Sequence, residues 1–521
     1  MSRQLSYEPG LISGQKGRRS SELQGAPASS NGSPSSRPWL SPVAVGVTAF
    51  LVAFVGSWIP SFWNDEIATV SSAGRSPADL FTLLQSVDAV HGTYYLFMHA
   101  WTSVFGFSEV ALRTPSAIAV GLACAGTVLI GRRLGSESIG IASGLVLAVL
   151  PRMVWSGTEA RQYAISALLA VVLTLLLIRA WESNRSIDWI LYGACAALGI
   201  FVFMFSALAV TSHAVAALIL RKRILGTLIT SAGIGLLVLP FMLFALTQKA
   251  QVDWIQNRSF LQNLSAAAVK QFFYGDDRPT GNLPPTWVLA AVGLLGLAQL
   301  VLVILGIVGM ARGDRNSRLR TLLVLCLTTV ILPVTVLLMV SLIAQPVYVA
   351  RYLTFTAPAF ALLVGLGLDT VRRNQRRLLP VAIAIVLGAS LVPQLTLKSV
   401  LNEPQDTERD IAAIIGDETQ GPASVVYERP ELRDVSIAYP SAFRSLQDLS
   451  LDASPGESGT LWGTNKEVTT AALSGRGRVW FVGAGGGSVP DFRAFTHAGC
   501  SSTEVKNSQR MLLLSFSCPA R

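Results

Sequence analysis

At residues 42–67 the chain reads PVAVGVTAFLVAFVGSWIPSFWNDEI. The part 42–59 carries no charge and is long enough to enter a hydrocarbon core of ~30 Å. Just beyond it, Trp63-Asn64-Asp65-Glu66-Ile67 places two adjacent carboxylates at a membrane boundary, where burial carries a heavy desolvation cost. Such a pair is either a set of ordinary loop acids in water or a pair placed for chemistry. The pattern of the rest of the chain decides between them.

Of the 521 residues, 51% are apolar and 14% charged, and the mean hydropathy is +0.50. That composition is of an integral membrane protein with many spans. The formal charge of +10 does not point to nucleic acid, because the basic residues sit in short loops between apolar stretches. Eleven spans are read at 42–59, 110–131, 137–155, 161–180, 187–205, 206–220, 224–246, 284–311, 319–342, 352–370 and 378–397. With the N-terminus inside, every inner connection is basic: Arg132-Arg133, Arg179 with Arg185, Arg221-Lys222-Arg223, Arg312 to Arg320, and Arg372 to Arg377. An odd number of spans then puts the C-terminus outside. A further span near Tyr94–Phe107 would invert all later loops, so that segment is expected to lie along the membrane face. The domain plan is a disordered cytoplasmic tail over 1–38, a transmembrane catalytic domain over 39–397 with an outer loop at 60–109, and an extracytoplasmic domain over 398–521. The tail is rich in Ser, Gly, Pro and Arg and lacks the short apolar core of a signal peptide.

Unusual residues gather on the outer side. Ser76-Pro77-Ala78-Asp79 opens a helix with a Ser cap and Pro in its first turn. Its apolar stripe, Leu80, Phe81, Leu83, Leu84 and Val87, is expected to lie under the lipid headgroups. His91-Gly92-Thr93-Tyr94-Tyr95 follows, then Arg113-Thr114-Pro115-Ser116, Glu159-Ala160-Arg161-Gln162-Tyr163, Asp253-Trp254, Asp276-Asp277-Arg278, and Tyr348 to Tyr352 with Arg351. Three arginines, Arg113, Arg161 and Arg351, stand at the outer ends of spans, against the usual charge bias. No cofactor is expected: Asp276-Asp277 alone do not define a divalent-metal site, and the four histidines show no zinc spacing.

An acid pair after the first span, the His-x-x-Tyr-Tyr stretch, Arg-x-Pro-Ser at the next span and Glu-x-Arg-x-Tyr later together resemble the GT-C superfamily. More narrowly, residues 40–400 resemble its protein O-mannosyltransferase-like (family 39) branch, which includes the lipid A aminoarabinose transferases and actinobacterial mannosyl- and arabinosyltransferases; composition suggests the actinobacterial type. Where many relatives have His/Lys-Pro-Pro, this chain has His91-Gly92-Thr93. The resemblance implies an inverting enzyme that moves a sugar, mannose favoured, from a polyprenyl-phosphate donor to a hydroxyl of a glycan, lipoglycan or protein acceptor outside the plasma membrane. Asp65 and Glu66 then take the catalytic positions. Arg161, Arg351, His91, Tyr94 and Arg113 are expected at the donor phosphate, supported by Glu159, Tyr163 and Tyr352. The residues agree independently, since a hydroxyl nucleophile needs a base and a phosphate leaving group needs arginines. No Rossmann or P-loop pattern for a sugar nucleotide is present. The alternative class is a transporter or flippase of lipid-linked sugar. Such proteins show internal repeats and interrupted spans with midplane charges, whereas here the spans are nearly free of acids.

After 398 the pattern changes to short apolar runs, Ala423–Tyr427, 478–482 and 511–516, between Gly/Ser/Asp-rich turns, as in a small α/β domain. Cys500 and Cys518 flank its last hairpin and are expected to pair in an oxidising compartment. Cys124, Cys195 and Cys326 lie in spans and are expected as free thiols.

Overall fold

The computed structural model describes residues 38–519, except 256–257, 276–284, 314–316, 399–407, 420, 487–489 and 509. All of the expected disordered tail but Pro38, and the whole of Asp276-Asp277-Arg278, lie outside the described residues.

Helices dominate. α1 (Leu40–Phe54) is followed by four helices of the first outer stretch and second span: α2 (Asn64–Ala73), α3 (Pro77–Ser86), α4 (Gly92–Phe105) and α5 (Glu109–Leu134). Next come α6 (Glu137–Val149), α7 (Pro151–Gly157), α8 (Tyr163–Ser183), α9 (Ser186–Val202), α10 (Ala207–Leu220), α11 (Ile224–Thr247) and α12 (Phe260–Val269). The last spans are α13 (Thr286–Gly313), α14 (Ser317–Ile343), α15 (Ala357–Asn374), entered through a 3-10 turn at Ala350–Thr356, and α16 (Leu379–Leu397). Each of the eleven apolar segments is therefore helical. Among the described residues seven helices are long and apolar enough to cross a membrane on their own, and α1, α9 and α10 are shorter apolar helices. The remaining one is the α6–α7 pair, bent by 62°. The bend has a local cause: Pro151 drives Leu150 out of the helical region, to φ −68° and ψ 122°. α4 spans 14 residues, the length of α10, but unlike α1, α9 and α10 it does not count as a shorter apolar helix.

α15 is the central helix, with 94% of its apolar window buried. Close approach makes this possible. A Cβ added at Gly367 would lie 2.0 Å from the Leu302 carbonyl oxygen on α13.

Two points stand out in the outer stretch. The stretch read as an outer loop over 60–109 holds α2, which carries no run of apolar residues yet forms a helix with Asp65 and Glu66 in its first turn, where the helix dipole favours carboxylates. The stripe of α3 does not face headgroups. Leu80 and Leu83 are fully buried in a second core with Phe62, Ile67, Val70, Tyr94, Tyr95, Met98 and Leu112, and only Phe81 is exposed. Burial of each leucine is worth roughly 1.5–3 kcal/mol whichever apolar medium receives it, so the stripe alone cannot distinguish protein from lipid.

The C-terminal part begins with α17 (Glu408–Glu418) and builds a five-stranded sheet in the order β2-β1-β3-β5-β4. β1 (Ala423–Tyr427) pairs in parallel with β2 (Leu446–Asp448) and β3 (Gly477–Ala484), and β5 (Met511–Cys518) runs antiparallel to β3 and to β4 (Ser501–Asn507). One sheet face packs Trp480 and Val482 on Ile411 and Ile415; the other packs Phe481 with Phe495 and Phe516. Cys500 and Cys518 form the expected disulfide, and Cys124, Cys195 and Cys326 are free.

Candidate active site

The acid pair divides. The Glu66 side chain turns into the protein and meets Arg113 of α5 in a bidentate pair at 2.7 and 2.5 Å, with Glu66 and Arg113 side chains only 1% and 2% exposed. Arg113 also donates to the carbonyls of Ser57, Pro60 and Ser61. All five guanidinium N–H groups are thus occupied, and none remains for a phosphate. Glu66 further accepts the Ala160 backbone N–H at 2.8 Å. This corrects the expectation for Arg113: it is a buried counter-ion that anchors α2 to α5, not a free phosphate ligand.

Asp65 points the other way and keeps 28% of its side chain exposed. Arg351 reaches its Oδ2 at 3.2 Å, and Arg161 Nη1 donates to its backbone carbonyl at 3.1 Å. Arg351 comes from the 3-10 turn that opens α15. Its guanidinium is boxed by the rings of Trp63, Trp254 and Tyr352 at 5.4, 5.2 and 5.9 Å, and its Nε donates to Tyr163 Oη. Cation–ring contacts hold such a charge without neutralising it.

Arg161 lies on the strap 158–162 between α7 and α8. Three side chains hold the strap: Ser116 donates to the Glu159 carbonyl, Thr69 to the Ala160 carbonyl, and Glu66 accepts Ala160 N–H. The Arg161 guanidinium donates to Tyr95 Oη at 3.2 Å and to His91 Nε2 at 3.1 Å. Tyr95 in turn donates to Asp88 at 2.7 Å. Burial first, then the Arg161 charge, drives the His91 pKa well below the usual imidazole range. His91 is therefore neutral. An arginine only donates, so Nε2 is the acceptor and Nδ1 carries the proton. Gln162 sits 2.8 Å from Nδ1, and the two ends of its amide are exchangeable. With Oε1 turned to Nδ1–H, the otherwise unpartnered Gln162 oxygen is satisfied as well. His91 thus orients Arg161 and brings no charge of its own.

Glu159 is buried at 2% exposure, and neither carboxyl oxygen has a hydrogen-bond partner among the described residues. Burial, then the nearby charges of Glu66 and Asp65, push its pKa well above the carboxylate range, so it holds a proton. It makes no hydrogen bond to Arg161, the role expected of it. Tyr94 Oη is likewise buried without a partner. Tyr163 and Tyr352 stack at 6.4 Å beside Arg351.

The fold brings together Asp65, Arg161, Arg351, His91, Tyr163 and Tyr352, and sets Glu66 and Arg113 apart as a structural pair. Trp63, Tyr95, Gln162 and Trp254 complete the cluster. Their signals were faint: Tyr95 and Gln162 adjoin expected residues, and Trp254 stands in a loop whose docking on Arg351 no local pattern shows. No group of three or more His, Cys, Asp or Glu side chains among the described residues has the geometry of a metal site.

Comparison with known proteins agrees with this architecture. ArnT from Cupriavidus metallidurans, solved bound to undecaprenyl phosphate, superposes with a TM-score of 0.56 over 91% of this chain and 97% of its own, at 13% identity. Its apo form matches equally. The oligosaccharyltransferase of Archaeoglobus fulgidus aligns at 10% identity and TM-score 0.49, over 78% of this chain and 64% of its own. No curated protein matches the chain by sequence. The fold, a helical membrane part with a small strand-containing C-terminal domain, is of the GT-C type seen in ArnT. Residues 93–247 match the family described as dolichyl-phosphate-mannose-protein mannosyltransferase.

Proposed function

We propose that the chain is an inverting glycosyltransferase that takes a sugar, mannose in first place, from a polyprenyl-phosphate donor and passes it to an acceptor hydroxyl at the outer membrane face. The observation that carries the reading is the convergence of Arg161 and Arg351, from separate segments, on one partly exposed acid, Asp65: Arg351 on its carboxylate and Arg161 on its backbone carbonyl. In this reading Asp65 removes the acceptor proton as its oxygen attacks the anomeric carbon. The bond from that carbon to the phosphate oxygen breaks, and the lipid phosphate leaves with the bonding pair. Arg351 and Arg161 stabilise the charge that grows on the phosphate, more strongly in a site shielded from water. Neutral His91 and Tyr95 hold Arg161 in line, and Tyr163 holds Arg351. Glu66 and Arg113 keep α2 and the strap in register. Undecaprenyl phosphate in the similarly folded ArnT supports a lipid-phosphate donor. The donor sugar and the acceptor rest on the family resemblance; placement of the N-terminus inside and the C-terminal domain outside rests on the basic inner loops and the odd number of spans.

The test is transfer from polyprenyl-phosphate mannose by the purified chain. Asp65→Asn keeps shape and removes the base, so turnover falls about 100-fold or more. Arg161→Ala and Arg351→Ala weaken polyprenyl-phosphate binding and turnover together, and Arg→Lys at either site retains part. Wild-type turnover by Asp65→Asn would sink the assignment of the base.

A further inference from the structure

α2 has 10 residues, too few to be stable alone, and its N-cap, Trp63, makes no side-chain capping bond. The place of Asp65 is therefore set by whatever holds α2. On one side that is the Glu66–Arg113 pair. On the other it is the C-terminal domain, which grips both ends of the helix.

At the N-terminal end, Asn64 Oδ1 accepts from Arg510 Nη2 at 2.8 Å, and Arg510 is also paired with Glu408 of α17. At the C-terminal end, Arg75 is buried at 7% exposure and donates to the Pro455 carbonyl at 2.8 Å and the Thr460 carbonyl at 2.5 Å. Its Nε donates back to the Ser71 carbonyl of α2, and Ser71 Oγ donates to the Leu461 carbonyl at 2.6 Å. The approach to the helix is held too: Tyr439 Oη meets Ser61 Oγ at 3.1 Å and the Phe62 N–H at 3.3 Å. Arg75 thus ties α2, at Ser71, to backbone carbonyls of the C-terminal domain, an arrangement that fixes position, and among the described residues its charge enters no hydrogen-bonded ion pair.

We propose that the C-terminal domain is a working part of the active site: through Arg75, with Arg510 as the second hold, it sets the position of α2 and so of the Asp65 carboxylate. Arg75 is a positioning residue. The proposal rests on the reading of Asp65 as the base.

The full chain in nanodiscs tests it, with polyprenyl-phosphate mannose, arabinose and glucose tried in turn and release of polyprenyl phosphate as readout. An envelope extract from cells deleted for the gene supplies acceptor. A displacement of about 1 Å at a reacting group costs up to roughly 100-fold, so Arg75→Ala lowers kcat by about 10- to 100-fold with donor KM within about twofold. Hydrogen exchange rises in residues 64–73 while the amides of β1, β3 and β5 keep their protection. Arg75→Lys restores part of kcat, and Arg75→Ala combined with Asp65→Asn is no slower than Asp65→Asn alone. Unchanged kcat in Arg75→Ala overturns the proposal, and so does a rise in acceptor KM alone. If Arg75→Ala also strips protection from the sheet, Arg75→Lys and Arg510→Ala decide, and wild-type kcat in both overturns it. Full activity of Asp65→Asn is a separate result: it removes the base assignment and leaves the exchange result for α2 standing.

Discussion

Adjacent acids, Asp65 and Glu66, meet opposite fates because consecutive positions in a helical turn point about 100° apart. Glu66 enters a buried pair whose disruption costs about 3–5 kcal/mol, since either partner alone is an uncompensated charge. Asp65 stays partly open between two arginines. Glu159 is a third case, a buried acid that holds its proton. Its folded pKa lies well above its unfolded value of about 4.3, so the folded state binds the extra proton and stability falls as pH rises above that value. Gln has the same shape and cannot ionise. Thermal unfolding of Glu159→Gln and wild type across pH 4 to 8 is expected to run together near pH 4 and diverge upward, the variant gaining stability relative to wild type. Parallel curves would show that Glu159 is ionised in the folded protein.

At the level of elements, the strap 158–162 and α2 form one unit. Pro151 breaks the third span, the bent half α7 delivers the strap to α2, and Thr69, Glu66 and Ser116 hold it there. Each local cause is visible in the sequence; the bonds that join them are not. The β4–β5 hairpin is the other element with a definite energetic device. Its disulfide closes a loop of separation 18, worth about 3 kcal/mol in the chain-entropy account. Replacing both cysteines, Cys500→Ser with Cys518→Ser, is expected to lower the opening free energy of the β3–β5 amides by about that amount, read by hydrogen exchange. Unaltered protection would mean that the Phe481, Phe495 and Phe516 cluster holds the hairpin unaided.

For the whole molecule, eleven helical segments and the basic loops between them define a testable orientation. Arg133 and Arg376 are exposed on connections read as inner, and Ala78, Ser259 and Glu431 are exposed on parts read as outer. The native free thiols give a low background, since Cys124 and Cys326 are buried and Cys195 is half-buried. Arg133→Cys and Arg376→Cys should resist an impermeant thiol reagent in intact cells, whereas Ala78→Cys, Ser259→Cys and Glu431→Cys should react. Labelling of Arg133→Cys from outside would mean that α4 crosses the membrane.

The sequence by itself determined what depends on neighbours along the chain. Hydropathy marks the spans; Ser76 and Pro77 mark the start of α3; alternating apolar runs mark β1, β3 and β5; and Cys500 and Cys518 mark the hairpin. It also marked residues that the fold gathers, because arginines at span ends and a Trp-Asn-Asp-Glu run are legible without a partner in view. Tertiary structure alone decided how those charges pair. Glu66 and Arg113 stand 47 residues apart and occupy each other fully, while Asp65, one position away, keeps its opening. It also brought Trp254 to Arg351, turned the α3 stripe into a protein core, and placed Arg75 and Arg510 at the two ends of α2. The reason is the range of the forces. Propensity and hydropathy act within a turn or a span, whereas a buried charge finds its partner through packing, and packing joins residues that the chain keeps far apart.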